Sequence, residues 1–127
     1  MAFSSKKKNI HIETLKDKSL WQLFTEGMAM YVEQLLCEDD MFYHQDTNGW
    51  LNWCNENRSF LYKEFVRRID NEESTQQFFG DWCGFNGKSD IGYYLGCELI
   101  RTLSKEYSLL ELACMDISVI ENKIREL

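Results

Sequence analysis

The chain has no proline anywhere in its 127 residues. Every position therefore carries a backbone N–H free to donate, and no residue locks φ or breaks a helical ladder from within. Set against this, apolar side chains recur at three- and four-residue spacing over long runs, as in Leu20, Leu23, Phe24, Met28, Tyr31, Val32 and Leu35. That period belongs to a helix with one face turned to a core. The reading is all-α: a compact bundle of about four to five helices. Residues 1–17 are lead-in, 18–127 form one domain, and no stretch reads as a strand. Hydrophobic residues make up 44% of the chain and aromatic residues 14%, enough to fill such a core.

Cap and breaker signals divide the domain. Ser19-x-x-Gln22 reads as a capping box opening a helix to about Cys37, and Glu38-Asp39-Asp40 ends it with a charge that suits a helix C-terminus badly. Met41 to Asn48 is a connector. A second helical region runs from Gly49 to Glu73, with Trp50, Trp53, Cys54, Leu61, Phe65 and Ile69 on its apolar side. It can break at Asn55-Glu56-Asn57-Arg58, where Ser59 offers a restart cap. Gly80, Gly84 and Gly87 punctuate a connection pinned to the core by Trp82 and Phe85, or else a functional loop. Ser89 or Asp90 caps a third long helix through about Glu106. Ser108-x-x-Glu111 is a second capping box opening a short helix to about Met115, and Asp116 or Ser118 caps the last.

Net charge narrows the function. With 21 acidic against 14 basic residues the chain carries −7, which opposes nucleic acid or an anionic membrane as the main partner. Lys6-Lys7-Lys8, the one basic cluster, reads as a solvated tail. No apolar run of about 20 residues offers a membrane span, and no signal-peptide core follows Met1. Cys37, Cys54, Cys83, Cys97 and Cys114 are odd in number, irregularly spaced and without a C-x-x-C, the usage of reduced thiols in a cytoplasmic protein.

Two motifs suggest a relationship. The first, Trp21 to Glu33, reads W-x-x-x-x-E-G-x-A-x-Y-x-E. It resembles the second metal-binding helix of gluzincin-type zinc metallopeptidases, the clan with H-E-x-x-H on an earlier helix. The second, Asp90-Ile91-Gly92-Tyr93-Tyr94-Leu95-Gly96, resembles the G-Y-x-x-G helix near the end of a family of predicted zinc-dependent proteases. The resemblance implies that Glu26 is the third zinc ligand, Glu33 a carboxylate orienting a ligand, and Tyr93 or Tyr94 a phenol stabilising a tetrahedral intermediate. It also implies that Gly27 and Ala29 let this helix pack closely on a partner. Catalytic zinc takes three protein ligands and acidifies a water in the fourth position.

The sequence departs from that pattern where the chemistry is done. H-E-x-x-H is absent, and the two histidines, His11 and His44, form no pair at helical spacing. Zinc is therefore expected only if the missing histidines come from elsewhere. His44 beside Asp39, Asp40 and Asp46 is a weaker metal candidate, read as an exposed acidic loop before a metal site. Cys83 or Cys97 as a nucleophile lacks a neighbouring base, and Trp50 with Trp53 reads as core before ligand cage. Three functions follow: a truncated, split or degenerate peptidase domain, silent as this chain; a stand-alone helical module binding a protein or peptide; and, least favoured, a hydrolase with an unrecognised site. Expected partners are a second copy or a missing N-terminal peptidase half.

Overall fold

Helix α1, Leu15–Cys37, is the longest element of the fold. A computed structural model describes residues 14–80, 85 and 88–127 of the chain. Lys6-Lys7-Lys8, His11, Trp82, Cys83, Gly84 and Gly87 lie outside the described residues. After α1 come α2 (Trp50–Glu56), α3 (Arg58–Asp70), a 3-10 turn at Gln76–Phe78, α4 (Ile91–Leu103), α5 (Leu109–Ala113) and α6 (Ile117–Glu126). The protein is all-α. Among the described residues there is no strand, only an isolated bridge between Phe85 and Lys88. No helix there is long and apolar enough to cross a membrane.

The α1 cap lies one turn earlier than Ser19. Thr14 occupies the N-cap, its hydroxyl accepting from the Asp17 N–H at 3.0 Å, so residues 15–17 are helical and not lead-in. Ser19 instead faces inward, where its hydroxyl accepts from Thr75 Oγ1 at 2.9 Å, both residues being buried. At the other end the chain turns sharply. Glu38 adopts φ 54 in the left-handed region, and its N–H reaches the carbonyls of Gln34 and Leu35. The break in the second helical region falls at Asn57, which caps α3, so Ser59 lies inside that helix. The Ser108–Glu111 capping box forms with both of its bonds, and Asp116 caps α6 by accepting from the Ser118 N–H. Asp90 holds the α4 N-cap position, and α4 ends at Leu103, short of Glu106.

Helix α4 is the centre of the core. Nine of its 13 residues are buried: Ile91, Gly92, Tyr94, Leu95, Gly96, Cys97, Leu99, Ile100 and Leu103. It meets α1, α2, α3 and α6, with α1 by far the most extensive partner. The buried face of α1 is Leu20, Leu23, Phe24, Gly27, Met30 and Gln34. This stripe is rotated from the one that apolar spacing predicts: Met28, Tyr31 and Val32 are half-buried and Leu35 is exposed. The rotation has a steric cause. A Cβ on Gly27 would stand 2.3 Å from the Gly96 carbonyl carbon, and one on Gly96 would stand 2.4 Å from the Leu23 carbonyl oxygen. The two backbones meet at paired glycines, so the seam runs through a residue with no hydropathy signal. Gly27 thus packs against α4, whereas Ala29 is exposed.

Aromatic rings close the other side. Tyr43, Trp50 and Tyr94 lie within 5.4 to 6.2 Å of one another, centroid to centroid, tying the 41–49 connector and α2 to α4. Phe85 packs on Phe78 at 4.8 Å and beneath the Arg68 guanidinium, so the glycine-rich connection is anchored to the core there.

Candidate functional site

The α1–α4 crossing decides which motif residues can meet. Glu26 precedes Gly27, and Tyr93 sits one turn before Gly96, so the close approach of the backbones brings their side chains together. The Tyr93 phenol lies near enough to the Glu26 carboxylate to feel it. Burial pushes that phenol up to about 12, and the neighbouring Glu26 carboxylate and the charge of Asp90 push the same way. Its proton stays on at neutral pH.

Glu33 lies two turns further along α1. Its Oε1 stands 3.1 Å from Nδ1 of His44, whose ring approaches Tyr93 edge-on at 6.2 Å. Glu26, Tyr93, His44 and Glu33 thus form a row that leaves α1, passes over α4 and the connector and returns to α1. Both ends of the His44–Glu33 contact are more than a third exposed, so it is worth at most about 0.5 kcal/mol.

This donor set does not fit a catalytic zinc. Among the described residues no group of three His, Cys, Asp or Glu side chains is placed to hold a metal ion. The aspartates near His44 in sequence serve the backbone: Asp39 Oδ1 accepts from the Met41 N–H and Asp46 Oδ1 from the Leu51 N–H, each at 3.0 Å. Glu33 does orient a histidine, but one on a connector and not on a helix beside Glu26.

Tyr94 belongs to the core. It is fully buried in the aromatic cluster, and its hydroxyl donates to Asn55 Oδ1 at 2.6 Å. One residue of helix rotates a side chain by about 100°, which is why adjacent tyrosines have opposite fates. Trp50 is likewise buried, its Nε1 donating to the Ser89 carbonyl at 2.6 Å. Neither Cys54 nor Cys97 is poised as a nucleophile. Burial pushes the Cys54 thiol up to about 12, and burial likewise raises Cys97.

The sequence reading missed the second polar network. Gln34 is 2% exposed, and its Nε2 donates to the Phe42 carbonyl at 2.7 Å. Its Oε1 accepts from the Cys97 thiol at 3.3 Å and from the Arg101 guanidinium. Arg101 also lies over the Tyr31 ring at 5.6 Å. Beside this network Glu98 receives Tyr43 Oη at 3.1 Å and Arg58 at 3.0 Å. The available signal was positional: Gln34 follows Gly27 by seven residues, on the same face of the helix.

With this geometry in view, comparison with protein-family models, with curated proteins and with solved structures finds no match to the chain. What the site can do must be argued from its own residues. Glu26 and Tyr93 stand beside each other where α1 meets α4, and Gln34 joins α1 to the connector and to α4. Both arrangements join elements of the fold.

Proposed function

We propose that this chain is a zinc-metallopeptidase-like helical domain, catalytically silent by itself, that works by binding protein. One observation carries the reading: the carboxylate that the resemblance assigns to zinc lies beside the phenol that it assigns to the reaction intermediate. A third zinc ligand needs two more donors beside it, and Glu26 has Tyr93. The glycines of the two motifs serve the same end, since Gly27 and Gly96 let α1 and α4 approach closely enough to bring Glu26 and Tyr93 together. Binding fits the surface as well. Phe60, Leu35, Leu36, Met41, Leu109 and Leu110 stay exposed around a core that buries most of α4.

Calorimetric zinc titration of the chain, beside its Glu26→Gln variant, tests the reading. The expectation is no zinc binding tighter than about 10 μM in either protein, far weaker than a catalytic zinc site requires. Submicromolar zinc that is lost in Glu26→Gln would sink the reading and make Glu26 part of a complete metal site.

A further inference from the structure

The turn that ends the connector carries the pair Asn48-Gly49 just before α2. Both residues are exposed and both have left-handed φ, 53 at Asn48 and 75 at Gly49. Hydrogen bonds close the turn around the pair. The Trp50 N–H donates to the Thr47 carbonyl and the Leu51 N–H to Asp46 Oδ1, each at 3.0 Å. The reactive atoms of the pair stay outside this pattern. Among the described residues the Gly49 N–H donates to nothing, and nothing binds the side-chain amide of Asn48. The peptide unit between them is held by Lys88, whose Nζ donates to the Asn48 carbonyl at 3.1 Å.

That combination is chemically reactive. An asparagine side chain is electrophilic at Cγ, and the backbone nitrogen of the next residue can close a five-membered ring on it. A side chain on that next residue crowds the closure, and glycine has none. A hydrogen bond on either partner would hold it back, and here neither partner has one. The other described asparagines lack this combination. Asn55, Asn57 and Asn71 have their amides engaged, by the Tyr94 hydroxyl, the Trp53 carbonyl and the Arg67 carbonyl. Asn52 and Asn122 lie within α2 and α6, before Trp53 and Lys123.

We propose that Asn48 is a self-modification site and that the Lys88 hydrogen bond is the latch that slows it. The Gly49 nitrogen bonds to Cγ as the Cγ–Nδ2 bond breaks, and ammonia leaves with the proton from Gly49. Water then opens the succinimide. Cleavage on the Cγ side leaves aspartate at position 48, and cleavage at the backbone carbonyl leaves isoaspartate. Either product takes the net charge from −7 to −8, by one acid more than the 21 encoded. Isoaspartate also lengthens the main chain by one carbon between the Thr47 carbonyl and the Trp50 N–H. It therefore loosens the turn that leads Trp50 into the aromatic cluster. Lys88 acts before the chemistry. A left-handed residue turns the next nitrogen away from its own Cβ, so the 48–49 peptide must rotate before the ring can close. That rotation gives up the Lys88 bond. The site is separate from Glu26 and Tyr93, and its test stands apart from the zinc titration.

Peptide mapping by mass spectrometry of the full chain, aged at mildly alkaline pH both native and in guanidinium chloride, tests the proposal. Mapping separates position 48 from Asn86-Gly87, the other Asn-Gly pair, which lies outside the described residues. In the native chain position 48 should convert ahead of the other described asparagines. One exposed hydrogen bond holds the peptide, so the native rate should lie within about tenfold of the denatured rate. Lys88→Ala should raise the native rate toward the denatured one, and Lys88→Arg, which keeps a donor there, should not. Far-UV circular dichroism checks that both variants are folded. An Asn48 that stays intact in the native chain while it converts in denaturant would overturn the proposal. So would a folded Lys88→Ala chain that converts no faster than the wild type.

Discussion

At Tyr93 and Glu26 the protein sets a phenol beside a carboxylate, with a consequence in alkali. A phenol whose pKa is raised on folding stabilises the fold fully below its unfolded value near 10. That stability is lost as pH rises through about 12. The chain should therefore weaken between pH 10 and 12, and Tyr93→Phe should flatten that limb in a pH series of urea melts. Acid works through a different residue. The hydrogen bond from Arg67, with that from Arg68, draws Glu64 down to about 2. Its contribution is present above about 4.5 and is lost as pH falls toward 2, so Glu64→Gln should make the acid limb shallower. The thiols sort by burial. In a Cys83→Ser background, Cys37 and Cys114 should react with a thiol reagent in the native state, while Cys54 and Cys97 should react only on unfolding. Labelling of Cys97 at the native rate of Cys37 would contradict its place beside Gln34. Residue roles were legible in part. Glu26, Glu33, His44 and Tyr93 all stood out as polar or phenolic side chains in informative positions, but their pairing depends on the crossing of two helices that no local pattern encodes. Tyr94 carries the same chemistry as Tyr93, and only helix rotation separates the two.

The elements were easier to foresee than their faces. An uninterrupted 3.6-residue period and strong caps are local properties, so α1, the Ser108 capping box and the Asp116 cap follow from short stretches of chain. The first helix starts at Thr14 because its hydroxyl is the one that reaches an early N–H, while the similar hydroxyl of Ser19 is recruited by Thr75 from a distant segment. The buried stripe of α1 escaped because glycine and glutamine carry no apolar signal, although Gly27 and Gln34 mark the line of contact. This makes a prediction specific to the crossing. Gly96→Ala or Gly27→Ala would force backbone against backbone, and each should cost about 3 kcal/mol or more in denaturant melts. Gly49→Ala has open space around the new methyl and only its left-handed φ of 75 to strain, so about 1 kcal/mol is expected there. Equal costs at Gly96 and Gly49 would show that α1 and α4 do not cross at the glycine pair. Ser108→Ala should cost about 1 kcal/mol, the usual loss of a helix cap.

At the scale of the molecule, α1 and α4 form a spine, and the other helices cover the apolar faces that the spine leaves. The motif pair that resembles a metallopeptidase supplies the glycines at which this spine crosses and sets Glu26 beside Tyr93. The all-α fold was legible from the absence of proline and the apolar periodicity, whereas the role of the motif was not. A carboxylate on a helix reads the same whether it faces a metal or a phenol. What separates the two is the partner that the tertiary fold delivers. The most direct test of this account is a double-mutant cycle on unfolding free energy with Glu26→Ala, Tyr93→Phe and the combination. A phenol and a carboxylate that meet where the spine crosses predict a coupling energy of about 1 kcal/mol between the two positions. Additive effects, with coupling within about 0.3 kcal/mol of zero, would mean that the two side chains do not depend on each other. Glu26 would then be free for another ligand, and the central claim would fail.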